Sequence, residues 1–178
     1  MDGMDRIRKV SGTFRLLSTL AMVAIPLVLT VYWLAFDHLP EDMVAGVLPG
    51  NTARPLGLVP SLLALAACLP PTAALVRGFA LLRRLFGLYG QGRVFSQDVV
   101  GCYRGLGRTL LAWGAALFLQ TPLLSLALTS GNPPGSHVIS VGIGTGELTA
   151  VFLGGLALLI SWVMDEGRKL DEEQSLTV

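Results

Sequence analysis

Charged side chains are scarce in this sequence. Only 14% of its 178 residues are charged and 52% are hydrophobic, whereas soluble domains carry about 25% charged residues. A water-soluble protein of this composition would lack the polar surface needed to cover its core, so we expect a lipid bilayer as its solvent. The net charge of +1 predicts no direct contact with nucleic acid.

Reactive groups are equally scarce. Two cysteines are too few for a disulfide framework, and the sequence has no nucleophile elbow, zinc-protease motif or phosphate-binding loop. The long apolar runs described next contain no Asp, Glu, His, Lys or Arg, which argues against a proton-coupled carrier. We therefore expect no enzyme activity, no catalytic residue, no cofactor and no metal site.

Long apolar runs, by contrast, are abundant. A helix needs about 20 apolar residues to cross the hydrocarbon core of a bilayer, and continuous runs without strict alternation indicate helices rather than barrel strands. The sequence therefore predicts one all-α integral membrane domain, a bundle of four helices. The predicted spans are residues 16–36, 56–76, 109–129 and 148–164, with a connector at 77–108 and a tail at 165–178.

Basic residues fall almost entirely on one side of these spans. Of the 13 lysines and arginines, only Arg54 lies in the loops that follow the first and third spans. Cytoplasmic loops carry an excess of such residues. We therefore expect both termini, the connector and the tail in the cytoplasm. There the attraction between each connector arginine and anionic lipid contributes about 1 kcal/mol to membrane binding.

Local signals predict that two helices extend beyond the membrane. The segment from Gly90 to Gly92 is typical of a turn, and Ser96 then fits a helix N-cap, with Phe95 placed to pack on Val100. The third helix should therefore begin near Gln97, well before its apolar run. Oppositely charged residues at helical spacing in the tail predict that the fourth helix also continues into the cytoplasm.

The connector is net positive and the tail is net negative. This opposition suggests that the tail helix docks on the connector, with Leu170 supplying an apolar contact; alternatively, the tail is a handle for a cytosolic partner. The candidate interaction residues are Arg83, Arg84, Arg93, Phe95, Ser96, Glu166, Leu170, Glu173 and Leu176.

Small and polar residues predict how the helices pack. Gly146, Ala150 and Gly154 recur every four residues, which lets helix backbones approach closely. Gln120 is the most polar residue deep in a predicted span. We expect it to form an interhelical hydrogen bond, and the alternative is a polar anchor in a small-ligand pocket.

Two stretches, Tyr89–Gly114 and Gly154–Val178, resemble the bacterial four-helix membrane family known as domain of unknown function 2975. Its turn before the third helix is matched by Gly92, Val94, Phe95 and Ser96, and its C-terminal tail by Glu166, Gly167, Leu170, Glu173, Leu176, Thr177 and Val178. The resemblance implies a four-helix fold in a bacterial inner membrane. Genes of that family often lie beside a small helix-turn-helix regulator, which implies a membrane partner for a transcription factor.

The sequence therefore predicts a non-enzymatic regulatory or interaction protein that holds or modulates a helix-turn-helix regulator through its connector and tail. Besides lipid and this regulator, the other partner considered is a second copy of the chain, as a homo-oligomer. Two alternatives are a small oligomeric channel or carrier, with a polar lumen at Gln120, Ser125 and Ser161, and an immunity-type protein against a membrane-acting toxin.

Reporter fusions test the predicted topology. Fusions after Ala45 and Ser136 should report an external location, and fusions after Gln91 and Val178 a cytoplasmic one, because 12 of the 13 basic residues lie on that side. An external signal from the Gln91 fusion would contradict a cytoplasmic connector.

Overall fold

The structure, a computed structural model, describes residues 3–44, 55–93, 96–133, 135 and 137–175. For residues 3–8, 41 and 171–175 it describes the backbone alone. Within this part of the chain it contains helices and no β-strand. The four long helices are α1 (Gly3–Leu34), α3 (Leu58–Gly90), α4 (Gln97–Thr129) and α5 (Thr145–Ser175), and a 3-10 turn (Phe36–His38) and the one-turn helix α2 (Glu41–Val44) follow α1.

All four long helices have the length and apolar character needed to cross a membrane. The chain is therefore a multi-pass membrane protein, and the predicted all-α fold with four packed helices is confirmed. Each long helix packs mainly on the long helix that precedes it: α3 on α1, α4 on α3 and α5 on α4. The inner pair of the bundle is thus α3 and α4.

A tight turn joins α3 to α4. Helix α3 runs unbroken to Gly90, so the first part of the predicted connector is an extension of the second apolar helix. Gly92 then adopts φ +75°, a conformation that residues with a side chain rarely take. Helix α4 begins at Gln97, as its N-terminal signals predict.

Ser96 holds the N-cap position of α4 through its backbone. Its carbonyl oxygen accepts hydrogen bonds from the Val99 and Val100 amides at 3.0 and 3.1 Å. Its hydroxyl is buried and makes no hydrogen bond within the described residues. The predicted capping position is therefore correct, but the side chain does not make the expected capping bond.

Helices α4 and α5 meet through small residues. Ala150 is fully buried, and a methyl group placed on Gly146 would lie 3.4 Å from Leu117 Cδ1. A methyl group on Gly154 would lie 3.0 Å from Leu111 Cγ and 3.1 Å from the Gly107 carbonyl oxygen. The two backbones are therefore in contact at this point, as the four-residue spacing predicts.

We predict that Gly154→Leu lowers the melting temperature of the purified protein. A leucine there collides with backbone as well as side-chain atoms of α4, and overpacking costs about 1–3 kcal/mol or more. Gly155→Leu is the matched control, because a side chain at that neighbouring position meets no atom within 4 Å. Equal melting of the two variants would show that α5 does not pack on α4 through Gly154.

Candidate interaction surface

One end of the bundle, which we call the arginine-rich end, combines the last turns of α3 with the first turns of α4. Leu85 and Leu88 of α3 pack there on Val99, Cys102 and Leu106 of α4, and all five side chains are buried. This apolar cluster lies next to Met164 of α5. The three helices therefore form one packed platform at this end.

Hydrogen bonds support the same platform. The hydroxyls of Tyr89 on α3 and Tyr103 on α4 lie 3.0 Å apart. Asp98 accepts from Arg93 Nη2 at 2.6 Å and from Arg84 Nη2 at 3.3 Å, so one carboxylate holds arginines from the end of α3 and from the turn. These groups are partly exposed, so each pair contributes only about 0–1 kcal/mol. Their main effect is to fix the end of α3 and the turn relative to the first turn of α4.

The tail contacts the connector through a different residue from those expected. Asp165 pairs with Arg104 of α4 at 3.6 Å and with Arg168 of its own helix at 3.3 Å. Arg84 and Arg93 bind Asp98 instead of the tail. Among the described side chains, the ion-pair link between tail and connector is therefore made by Asp165, at the start of the tail.

Leu170 does not supply the apolar contact that the sequence analysis expected, because 54% of its surface is exposed. Helix α5 is already near the start of α4 where Asp165 meets Arg104, and α4 begins at Gln97. The two helices are antiparallel, and only seven residues of α4 precede Arg104, whereas ten residues of α5 follow Asp165. The helix nevertheless continues to Ser175, beyond the platform.

The remaining candidates at this end are exposed or lie outside the described part of the chain. Glu166 and Lys169 are exposed and pair with each other at 3.2 Å. Arg83 is exposed and forms no ion pair with any described residue. Phe95 and Leu176 lie outside the described residues, as does the side chain of Glu173. We call Glu166, Lys169 and Leu170 the tail surface.

The opposite end, which we call the loop end, is closed by Asp37. Its carboxylate accepts hydrogen bonds from the backbone amides of Leu56 at 2.7 Å and Gly57 at 3.1 Å. These amides belong to the entrance of α3, which has no capping side chain of its own. A carboxylate at a helix N-terminus is favourable, so Asp37 ties the end of α1 to the start of α3.

Helix α5 begins halfway along α4 rather than at the loop end. A methyl group on Gly114 would lie 3.5 Å from the Glu147 carbonyl oxygen, and α4 continues for another 15 residues from Gly114 to Thr129. At 1.5 Å per residue this distance is about 22 Å. The predicted fourth span begins at residue 148, which leaves Glu147 in the preceding external loop, but the structure places Glu147 beside the middle of an apolar helix.

Residues 137–144, which we call the extended segment, run beside the last turns of α4. The Val138 amide donates to Thr129 Oγ1 at 3.4 Å and the Ser140 amide donates to Ser125 Oγ at 3.0 Å. The segment has no helical or strand structure. It occupies the position that a further two or three turns of α5 would have filled.

The extended segment leaves backbone groups unpaired. The amides of Ile139, Val141, Gly142 and Ile143 donate no hydrogen bond within the described residues. In hydrocarbon, an unpaired amide costs about 4–8 kcal/mol, and the total stability of a protein is only about 5–15 kcal/mol. Four such groups facing lipid would exceed the stability of the fold.

The polar residues deep in the bundle do not form a shared lumen. Gln120 Nε2 donates to Cys68 Sγ at 3.0 Å, an interhelical bond between α4 and α3. Ser125 and Ser161 donate to the carbonyls of Pro122 and Leu158 within their own helices. Gln120 also lines a cavity of about 520 Å³ between α1, α3 and α4 whose other walls are mostly apolar.

The family model described as "Protein of unknown function (DUF2975)" matches residues 50–178, which contain α3, α4 and α5. No curated protein and no solved structure matches the chain.

We predict that Leu85→Ala and Leu170→Ala differ sharply in their effect on stability. Leu85 is 3% exposed within the platform, and such a truncation costs about 2–5 kcal/mol. Leu170→Ala should change the free energy of unfolding by less than about 0.5 kcal/mol, as expected for an exposed site. Comparable losses, measured by thermal unfolding in detergent, would show that the tail surface is packed after all.

Proposed function

The chain belongs to the DUF2975 family, and from the geometry of its arginine-rich end we propose that it is a non-enzymatic membrane interaction protein. The arginine-rich end faces the cytoplasm of a bacterial inner membrane. There the tail surface binds a cytosolic protein, and the small helix-turn-helix regulator implied by the family resemblance is the candidate partner.

The observation that carries this proposal is the projection of α5 beyond the platform with Leu170 exposed. A single exposed leucine is common on protein surfaces. This one lies on a charged helix that continues past its ion pair with Arg104, and such helices bind by laying an apolar side chain into a groove of the partner. The tail thus supports the second alternative of the sequence analysis, a handle for a partner.

The platform gives the handle a fixed base. Asp165 joins α5 to Arg104 of α4, and Ser161, one turn earlier on α5, is fully buried. A partner on the tail surface therefore contacts a helix that is continuous with the membrane bundle. Binding and membrane-spanning parts belong to one rigid element, which is what a membrane tether for a regulator needs.

The channel or carrier alternative finds less support. Gln120, Ser125 and Ser161 each bond to a partner within the bundle, and the last two are buried. A conducting lumen requires polar groups that face a common space. These three residues supply no such surface.

The test is binding of the helix-turn-helix regulator to the full-length protein in detergent or nanodiscs. Leu170→Asp should weaken binding at least about tenfold, since burying a leucine contributes about 1.5–3 kcal/mol and each 1.4 kcal/mol is a factor of ten. Leu170→Met is the matched control and should bind normally, because it conserves volume and apolar character.

Lys169→Glu gives a second measurement, because Lys169 is exposed and belongs to the tail surface. The regulator should bind this variant more weakly and with less dependence on salt. Equal affinity of wild type, Leu170→Asp and a protein truncated after Gly167 would rule out the tail as the binding surface.

A further inference from the structure

We propose that the extended segment lines a water-filled recess, open at the loop end, that brings water to Glu147 near the middle of the bilayer. The recess is a site for water and small hydrophilic solutes. It lies at the end opposite the tail surface and does not depend on the function proposed above.

The depth of Glu147 follows from its neighbours. The uncharged run of α4, residues 109–129, has the length needed to cross the hydrocarbon. Gly114 and Leu117 lie within this run, and α5 places Glu147 and Gly146 directly beside them. The half-thickness of the hydrocarbon is about 15 Å, and Leu117 lies about 18 Å from the end of α4 at Thr129. Glu147 is therefore close to the midplane.

Lipid does not fit the space beside the extended segment. Non-helical backbone is tolerated at membrane depth only where protein covers it or where it lines a water-filled cavity. The amides of Ile139, Val141, Gly142 and Ile143 have no acceptor among the described residues. Lipid tails contain no hydrogen-bond acceptor that could pair with these amides.

Glu147 gives a second, independent reason to expect water at this depth. One carboxylate oxygen accepts from the Gly144 amide at 2.8 Å, the reciprocal arm of a helix capping box. The other oxygen has no hydrogen-bond partner among the described residues, and the side chain is only partly buried. An unpaired carboxylate oxygen at this depth requires water or another polar partner.

A strand from a second copy is a poor alternative to water. Two copies with the same membrane orientation are related by an axis along the membrane normal, so their extended segments would run parallel. The same amides would then face each other at the same height. Parallel strands pair only when these groups are staggered, so symmetric pairing leaves the amides unpaired.

The alternation of side chains gives the segment two different faces. Ile139, Val141 and Ile143 are 65%, 67% and 69% exposed and form an apolar face suited to lipid. The other face carries Ser140, Gly142 and Gly144, which are also exposed. A side chain added at Gly142 would meet no atom within 4 Å, so space remains on the small, polar face.

Cysteine accessibility in proteoliposomes tests the recess. In a background with Cys68→Ala and Cys102→Ala, single cysteines replace Ser140, Gly142, Val141 and Val151, and His38→Cys serves as the exposed control at the loop end. The probe is a membrane-impermeant sulfonated methanethiosulfonate. A side chain at Gly142 meets no atom within 4 Å, so this variant should fold.

The recess predicts that Ser140→Cys and Gly142→Cys react within about tenfold of His38→Cys, because thiols in water ionise normally. Val141→Cys, on the apolar face, and Val151→Cys, one turn below Glu147 on the exposed face of α5, should react at least about a hundredfold more slowly, since an apolar environment suppresses the thiolate.

Two results would overturn the proposal. Slow reaction at Ser140→Cys and Gly142→Cys, with fast reaction at His38→Cys, would show that protein covers the segment. Fast reaction at all positions, including Val151→Cys, would show that this part of the bundle lies outside the bilayer. Normalising to His38→Cys makes the result independent of which end faces the cytoplasm.

Discussion

The backbone contact between α4 and α5 at Gly107 and Gly154 is the constraint on which both ends of the molecule depend. A methyl group on Gly107 would lie 2.9 Å from the Gly154 carbonyl oxygen, so neither position tolerates bulk. The contact fixes α5 along the axis of α4 as well as beside it. Because α5 is held at Gly154, in its first third, against Gly107 in the first third of the antiparallel α4, its first turn lies beside the centre of α4 and its last turns pass the start of α4. One axial register thus produces both the space beside the extended segment and the projecting tail.

Local sequence signals predicted the elements well. Gly92 and Ser96 located the turn and the start of α4 because a positive φ and an N-cap are properties of single residues and their immediate neighbours. Apolar run length likewise predicted four long helices, since the thickness of the hydrocarbon sets the number of residues needed. The small-residue face of α5 was visible from spacing alone, because residues four apart share one side of a helix.

Relations between elements were harder to predict. Hydropathy shows where a helix is apolar but not how far it is shifted against its neighbour, so Glu147 was assigned to an external loop. Net charge suggested that the tail docks on the connector, but it does not say which carboxylate meets which arginine. Asp98 pairs with two connector arginines, whereas Asp165 pairs with one arginine of α4 and one of its own helix. The partner of Gln120, Cys68, depends on the rotation of α3 and is not encoded in any spacing within α4.

The order of packing has a consequence for biogenesis. Each long helix contacts the long helix made before it, and α3 and α4 are joined by a turn of only a few residues. Contacts between neighbours in sequence form quickly because little chain must be closed into loops. During synthesis α3, α4 and α5 therefore each meet a partner that is already in place, and α5, whose register sets both ends of the bundle, is added after the other three.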